Sequence, residues 1–445
     1  MGSAEMGRLT KALRDKRDDD ARIVGFHFAP HPRKYRLRRL FAFVILASVI
    51  NLFYFLILEQ ILQGFYSLWQ GLQWLKMARR RASAAPALYA PRVALICPVK
   101  GLEEDLEANL LALTQFDYPQ YEIFFAIATA EDPAYRVLER VVAASKRPAH
   151  LVRAGRALDC SDKVHNLTAA VGQLGDQFDV LVFADSDGRP PRRWLGRLVA
   201  SLADTNIGAV TTFRWLLPKG NGFWSALAAA WSASAATYLG EGKRNFCWGG
   251  GTAIKRQRFD ELRILNSWKG AASDDYVLTR ALLNNGLRIA FAPECLVPSS
   301  PPFNFKSFLE FSNRQLIITR IYAPKLWWTA LIGHLFYCAT IFVGIAAWFV
   351  SSMNGLPSVQ FLVLALILPI FASVRGVLRL VAVLELLPDL GEQLLSDGWV
   401  WVLLAPLVPF VYLYNSLVAM FTRKITWRGI RYEIISPLRT RIIAR

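Results

Sequence analysis

Charge and cysteine are both scarce in this sequence. Only 19% of its 445 residues are charged and 54% are hydrophobic, which excludes a disordered or fibrous chain. The five cysteines are scattered without a C-x-x-C pair, so neither a disulfide framework nor a zinc site is predicted. The five histidines lack metal-binding spacing, and no G-x-S-x-G elbow occurs. The motif classes most often tied to soluble hydrolases are therefore missing.

Basic residues and long apolar runs are what the sequence has in excess. Lysine and arginine number 52 against 34 acids, a net charge of +18, which fits either nucleic acid or an anionic membrane face. Because the basic clusters flank apolar runs, the membrane is favoured and no nucleic-acid partner is expected. Residues 1–39 read as a flexible polar arm. Residues 40–81 predict a transmembrane helix followed by an aromatic interfacial anchor and a basic flank, which places the next domain in the cytosol.

The region 92–300 has the pattern of an α/β domain. Short apolar segments alternate with amphipathic ones, and five segments are typical of strands: VALICPV, EIFFAIA, DVLVFAD, IGAVTTF and RIAFAP. This alternation predicts a sheet with helices packed on it.

The C-terminal part returns to membrane-like composition. Residues 301–325 predict an interfacial amphipathic helix, and residues 326–421 contain three apolar blocks. Three crossings would separate the basic tail, 422–445, from the cytosolic domain. One block is therefore expected to re-enter, lie flat or form a hairpin, and the middle one is favoured because it carries Arg375 and Arg379.

Two carboxylates follow the strand DVLVFAD. Asp185 and Asp187 would lie at the carboxyl edge of the sheet, where ligands of α/β proteins bind. Oxygen ligands at this spacing suit Mg²⁺ or Mn²⁺ shared with a phosphate, although Asp-Ser-Asp-Gly is equally good turn chemistry.

Other acidic and basic residues admit a functional and a structural interpretation. Asp274 and Asp275 precede an amphipathic helix and either cap it or face a sugar, where one would act as general base. Asp132 follows another strand and either caps a helix or binds a nucleotide. Lys163 either neutralises phosphate or belongs to a solvated helix start. The glycines around Gly250 either let the backbone approach a substrate or form a flexible loop.

Taken in order, these pieces resemble the family 2 type of GT-A glycosyltransferases, and most closely its ceramide glucosyltransferase-like branch. The resemblance covers about residues 92–435, and the segments that carry it are ICPVKGLEEDLEANLLALTQFDYPQYEI, AEDPAYRV, SDKVHNL, FADSDG, GGGTAIKR, SDDYVLTRALLNNGLRIAFAP, FSNRQLIITR and TWRGIRY. It implies a GT-A nucleotide-sugar-binding fold with transmembrane helices at both ends.

The resemblance also implies roles for particular residues. Asp275 is the catalytic base, Asp132, Lys163 and Asp185 bind the donor, and Asp185 with Asp187 holds the metal. Members of the branch usually carry a (Q/R)XXRW motif on the interfacial helix. Here Arg314-Gln315 is followed by Leu316, Ile317 and Ile318 where Arg-Trp would stand. The acceptor and diphosphate side is assigned to Gly250, Asp274, Arg314, Gln315 and Arg320, the last as a replacement charge.

The implied activity is inverting transfer of a sugar, glucose from UDP-glucose, to a lipid hydroxyl, with ceramide as the family's acceptor and glycolipid (sphingolipid) biosynthesis as its setting. A hopanoid or diacylglycerol acceptor stays open. The rivals are a processive polysaccharide synthase, a channel or transporter subunit, and an inactive nucleotide-sugar-binding membrane subunit. A multi-pass membrane protein with its catalytic domain on the cytosolic face is expected.

Overall fold

A mixed α/β sheet forms the centre of the globular domain. A computed structural model describes residues 32–445, apart from 86–87, 221 and 243–244. The central sheet has seven strands in the order β3-β2-β1-β4-β7-β5-β8, and β7 runs antiparallel to both of its neighbours. The strands are β1 (Val93–Pro98), β2 (Tyr121–Ile127), β3 (Ala149–Arg153), β4 (Val180–Ala184), β5 (Ile207–Thr211), β7 (Gly251–Lys255) and β8 (Arg288–Phe291). Two short strands, β6 (Arg214–Leu216) and β9 (Val297–Ser299), pair beside it.

The predicted α/β class is confirmed, and all five predicted strands are present as β1, β2, β4, β5 and β8. Two strands of the central sheet were missed. The edge strand β3 buries only Val152, so its sequence shows no buried run. The strand β7 begins at Gly251, within the segment that was interpreted as a substrate-binding or flexible loop.

The helices that begin at Asp162 and Asp274 have polar caps that the local sequence provides. Ser161 accepts a hydrogen bond from the amide of Val164, and Ser273 accepts one from the amide of Tyr276. The helices are α2 (Leu106–Leu113), α3 (Tyr135–Ala144), α4 (Asp162–Gly172), α5 (Trp194–Ala200), α6 (Phe223–Ala236), α7 (Arg256–Glu261), α8 (Ile264–Trp268), α9 (Asp274–Asn284) and α10 (Phe305–Tyr322).

The N-terminal helix α1 is one continuous element from Pro32 to Ser83. At 1.5 Å per residue its 52 residues extend about 80 Å, far more than a membrane requires. Residues 32–39, expected to belong to the flexible arm, are helical, and the rest of that arm lies outside the described residues. The end of α1 is part of the globular core, because Ala78 is fully buried and the indole N–H of Trp74 donates to the carbonyl of Leu239 (3.1 Å).

Four helical segments of the described chain are long and apolar enough to cross a membrane, judged by length and composition. They are Ala47–Ser83 within α1, Pro324–Met353, Val359–Leu386 and Gly398–Phe421. The first of the C-terminal segments is α11 (Pro324–Met353), and the second contains α12 (Val359–Ala365) and α13 (Ile367–Leu386). The short helix α14 (Gly391–Ser396) follows, and the third segment contains α15 (Gly398–Leu403) and α16 (Val408–Phe421).

The last apolar segment bends back on itself. Near its start Trp401 packs on Trp215 of β6, and near its end the carbonyl of Met420 accepts a hydrogen bond from Arg320 of α10. Its middle lies deeper among the helices, where Phe410 contacts Tyr337 of α11. A 3-10 turn at Ala405–Leu407 separates α15 from α16. Both ends therefore face the globular domain.

The segment with Arg375 and Arg379, in contrast, runs alongside α1 from Phe53 to Arg79 without turning back. The two helices touch at Phe53 and Phe361, and again at Arg79 and Glu385, whose charged groups are 3.2 Å apart. The expectation that this middle block turns back is wrong. The final block turns instead because Pro406 and Pro409 interrupt its helical hydrogen bonding.

The C-terminal tail is folded. Residues expected to form a basic tail make an antiparallel sheet of β10 (Lys424–Trp427), β11 (Ile430–Ser436) and β12 (Arg439–Ala444). Tyr432 and Ile434 of this sheet are buried in the same hydrophobic core as α10 and α4. Membrane helices and domain thus share one core on that face of the central sheet, and a second core covers the other face.

A labelling experiment tests the bend. All five native cysteines are buried, so single cysteines introduced at exposed positions should report with little background. In sealed vesicles, Gln393→Cys and Arg439→Cys flank the last apolar segment and should react with an impermeant thiol reagent from the same side. Asn354→Cys, in the α11–α12 connection, should react from the opposite side. Labelling of positions 393 and 439 from opposite sides would show that the final segment crosses.

Candidate active site

The candidate site is a cleft of about 470 Å³ at the carboxyl ends of β1 and β4. Parallel strands direct the loops that follow them to the same edge, so β1 contributes Lys100 and Glu103 while β4 contributes Asp185 and Asp187. The start of α9 forms one wall, α10 a second, and the turn between β10 and β11 a third.

A compact network of charges occupies the floor of the cleft. The ammonium of Lys163 lies 2.7 Å from Asp185, and the guanidinium of Arg214 lies 3.6 Å from Asp185 and 3.2 Å from Asp187. Burial alone would raise the pKa of Asp187, but Arg214, with help from Arg428 and Lys163, holds it below the ordinary value. Asp187 therefore remains anionic, and both carboxylates converge on the guanidinium of Arg214.

These carboxylates fit the needs of a hard divalent cation. Within the described part of the chain no group of three or more acidic, histidine or cysteine side chains is arranged to hold a metal. Mg²⁺ is commonly held by one or two carboxylates together with substrate phosphates and water. Asp185 and Asp187 fit that arrangement, in which a phosphorylated substrate would supply the remaining ligands.

The two acids at the start of α9 have different environments. Asp274 is buried beside Lys163 (3.6 Å), and burial, reinforced by Asp275 and Asp185, raises its pKa to about 7. Asp275 is half-buried and accepts hydrogen bonds from Ser273, from the amide of Tyr276 and from the amide of Gly249. Ser273 is the side chain that caps the helix, so both carboxylates remain available to the cleft.

Close packing explains the glycines before β7. A side chain at Gly249 would collide with Asp274 and Lys163, and one at Gly250 would collide with Trp248 and Asp185. The absence of a Cβ at these positions makes room for the protein's own charged groups. Gly250 therefore borders the carboxylate of Asp185, and its place on the acceptor and diphosphate side stays a prediction.

Two predicted site residues, Asp132 and Arg320, lie outside the lining of the cleft. Asp132 is not among the residues lining the cleft, and its carboxylate accepts hydrogen bonds from the amides of Gly101 (3.0 Å) and Ala134 (2.9 Å). It thereby ties the loop after β1 to the start of α3. Arg320 points away from the cleft and donates to the carbonyls of Met420 and Thr422, so it is not a replacement charge for the acceptor side.

The wall formed by α10 combines a charge with apolar surface. Arg314 and Gln315 line the cleft. The guanidinium of Arg314 lies over the rings of Phe311 (5.7 Å) and Trp427 (5.2 Å), and burial and the neighbouring Arg214 and Arg428 lower its pKa to about 10. Pro301, Phe303, Phe311 and Ile318 make this half of the cleft apolar.

Six charged residues that line the cleft were not predicted as site residues: Lys100, Glu103, Asp162, Arg214, Glu310 and Arg428. Arg214 lies on β6, a strand of three residues that leaves no periodic signal, and Glu103 lies in the loop after β1. Arg428 lies in the turn between β10 and β11, 2.5 Å from Glu103. The TWRGIRY segment was the available signal for Arg428, because a Trp-Arg-Gly sequence between strand-like segments marks a turn.

The cleft combines acidic and basic side chains at the carboxyl edge of a mixed α/β sheet. Helices of membrane length precede and follow the globular domain in the sequence. This is the arrangement of a membrane-associated GT-A glycosyltransferase. The chain belongs to glycosyl transferase family 21, whose sequence profile matches residues 52–438. The predicted resemblance to ceramide glucosyltransferases is confirmed at the level of the family.

Characterised relatives are distant. Ceramide glucosyltransferase 3 of Caenorhabditis elegans is 23% identical over 229 residues, which cover 49% of this chain and 49% of the relative. Ceramide glucosyltransferase 1 of the same organism is 22% identical over 279 residues, covering 61% of this chain and 57% of the relative. The chain thus spans about half the length of the curated relatives that it matches.

Solved structures with a related shape are also known. A mannosyltransferase from Pyrobaculum calidifontis, in complex with GDP-Man and Mn²⁺, is 18% identical with a TM-score of 0.47, covering 76% of this chain and 99% of its own. Glucosyl-3-phosphoglycerate synthase from Mycobacterium tuberculosis, in complex with phosphoglyceric acid, is 15% identical with a TM-score of 0.35, covering 56% and 84%.

The raised pKa of Asp274 predicts a pH-dependent contribution to stability. Its pKa rises from 3.8 to about 7 on folding, so the protonated acid favours the folded state. This contribution is complete below about pH 4 and is lost as the pH rises through 7. Asp274→Asn mimics the protonated acid and should therefore stabilise the protein at pH 8, on the order of 2 kcal/mol.

Thermal unfolding in detergent at pH 5 to 8 measures this effect. The advantage of Asp274→Asn should shrink as the pH falls from 8 to 5, and Asp176→Asn, at an exposed loop position, should show no such trend. An advantage that stays constant across this range would contradict the assignment.

Proposed function

We propose that this protein is a membrane-bound inverting glycosyltransferase that transfers glucose from UDP-glucose to the hydroxyl of a lipid, with ceramide as the acceptor. The observation that carries the proposal is the division of one cleft into two halves. Asp185, Asp187 and Lys163 make one half ionic, and Phe303, Phe311 and Ile318 give the other half, beside Arg314, its apolar surface. A nucleoside diphosphate matches the first half and a lipid headgroup the second.

The position of the apolar half supports a lipid acceptor. Helix α10 lines the cleft and ends at Tyr322, and the membrane-length helix α11 begins two residues later at Pro324. An acceptor whose tails remain in the membrane can therefore present its hydroxyl at α10 without leaving the interface. The ceramide glucosyltransferases among the relatives support ceramide as that lipid. The membrane-length helices support a multi-pass protein, and the basic flank Arg79–Arg81 after the first of them supports a catalytic domain on the cytosolic face.

Asp275 is the proposed general base. Hydrogen bonds from Ser273 and from two backbone amides fix its carboxylate at the cleft. The acceptor oxygen forms a bond to the anomeric carbon while its proton passes to Asp275, and the bond from that carbon to the diphosphate breaks. Displacement in a single step inverts the anomeric configuration.

The cations of the cleft support departure of the diphosphate. Lys163 and Arg214 already neutralise Asp185 and Asp187, and the same groups can face phosphate oxygens. A divalent cation held by Asp185 and Asp187, Mg²⁺ or Mn²⁺, would supply further charge neutralisation on the diphosphate. Asp132 supports the donor side indirectly, because it anchors Gly101 in the loop that carries Lys100 and Glu103.

Release of UDP from UDP-glucose by the detergent-purified full chain tests the proposal. Release should require Mg²⁺ or Mn²⁺ and an added lipid, tested with separate ceramide, hopanoid and diacylglycerol acceptors. Asp275→Asn should lower turnover by about 10²- to 10⁴-fold, because the acceptor proton loses its base, while UDP binding stays near the wild-type value.

Asp176→Asn serves as the matched control and should turn over normally. Equal turnover by Asp275→Asn and wild type would contradict the assigned base. Binding of UDP without release in the presence of every lipid would favour the inactive binding subunit. Release accompanied by a growing polysaccharide would identify a processive synthase.

A further inference from the structure

The turn between β10 and β11 is held in the cleft by contacts on both sides. The ring of Trp427 lies against Arg314 of α10, and the guanidinium of Arg428 pairs with Glu103 from the loop after β1. The carbonyl of Thr426 also accepts a hydrogen bond from Arg314 (3.5 Å). The turn between β10 and β11 thus reaches the same edge of the central sheet as Asp185 and Asp187, the two candidate metal ligands.

The backbone of this turn is unusual for an arginine. Arg428 and Gly429 form a two-residue turn between the paired residues Trp427 and Ile430, and both have positive φ, 49° and 78°. Such turns favour asparagine followed by glycine, because a residue with a larger side chain is strained at positive φ. Strained residues of this kind concentrate at functional sites. Turn formation itself does not require an arginine here.

The surroundings of Arg428 resemble an anion-binding site in which a carboxylate of the same protein, that of Glu103, takes the place of the anion. Burial and the charge of Asp187 oppose ionisation of Glu103, and its pKa is raised even though Arg428 favours the anion. The second oxygen of Glu103 is buried without a hydrogen-bond partner among the described residues. Arg214, which pairs with Asp187, lies in the same charge cluster. A poorly satisfied carboxylate is a weak partner that a stronger anion can replace.

We infer that Arg428 is a binding residue for the diphosphate of the nucleotide-sugar donor, and that Glu103 occupies Arg428 as an internal competitor until the donor arrives. A phosphate oxygen offers the guanidinium a charge-assisted, bidentate partner. Trp427 positions the turn by packing on Arg314. The inference rests on the proposed function, because it assigns a residue to the donor of that reaction.

Opposite effects of two substitutions distinguish this role from a structural ion pair. Loss of Arg428 should weaken the binding of a nucleoside diphosphate, whereas loss of the Glu103 charge should strengthen it. An ion pair that only holds the turn in place would make both substitutions act in the same direction.

Arg428→Asn is the informative variant, because asparagine is favoured at positive φ and the turn should keep its geometry. With Mg²⁺ present, its affinity for UDP should fall by about 10- to 100-fold, the loss expected for a charge-assisted hydrogen bond. Its affinity for UMP, which lacks the second phosphate, should change much less. Glu103→Gln should bind UDP several-fold more tightly than wild type, roughly threefold or more.

Calorimetric titration of the detergent-purified full chain gives these affinities, with thermal unfolding as a check on folding. Arg431→Ala removes an exposed arginine of the adjacent strand and should leave both affinities unchanged. Wild-type UDP affinity in Arg428→Asn, or weaker UDP binding by Glu103→Gln, would overturn the inference alone. Wild-type protein that binds neither UDP nor GDP would overturn it together with the proposed donor.

Discussion

The pairing of buried opposite charges at the carboxyl edge of the sheet is the constraint on which the site depends. Asp185, Asp187 and Asp274 lie in a partly enclosed cleft, where unpaired carboxylates would be costly. Lys163 and Arg214 offset that cost, and the glycines before β7 leave the space in which the groups meet. Each charged group is therefore held in position before a substrate enters. Such preorganisation favours phosphate chemistry because the donors need not reorganise during the reaction.

The second constraint is the location of the apolar surface. One core covers a face of the central sheet and continues without interruption into the helices of membrane length. Because α1 ends inside this core and α10 leads directly into α11, the cleft is held at a fixed height relative to those helices. The final apolar segment returns to the globular side, which lets the C-terminal strands complete the cleft. Membrane anchoring and site assembly are thus consequences of the same packing.

Features that depend on local sequence could be predicted, and features that depend on tertiary contacts could not. Asp185 and Asp187 directly follow a buried apolar strand, so their place at the edge of the sheet was evident. Arg214 and Arg428 reach the cleft from a very short strand and from a turn near the C-terminus, and no local pattern places them there. Arg320 was misplaced for a related reason. It lies about one and a half helical turns after Arg314, but its guanidinium binds a carbonyl at the end of α16. Arg375 and Arg379 likewise misled the choice of the segment that bends.

The shared core also determines how the molecule can be divided. Trp74 from α1, Trp231 from α6 and Tyr412 from α16 belong to one hydrophobic cluster with the strands of the central sheet. A fragment restricted to the globular region would expose the surfaces that these helices cover, and such patches promote association in water. Loss of packing among the helices therefore also removes contacts from the globular domain. An environment that stabilises the apolar helices therefore also contributes to the folding stability of the globular domain.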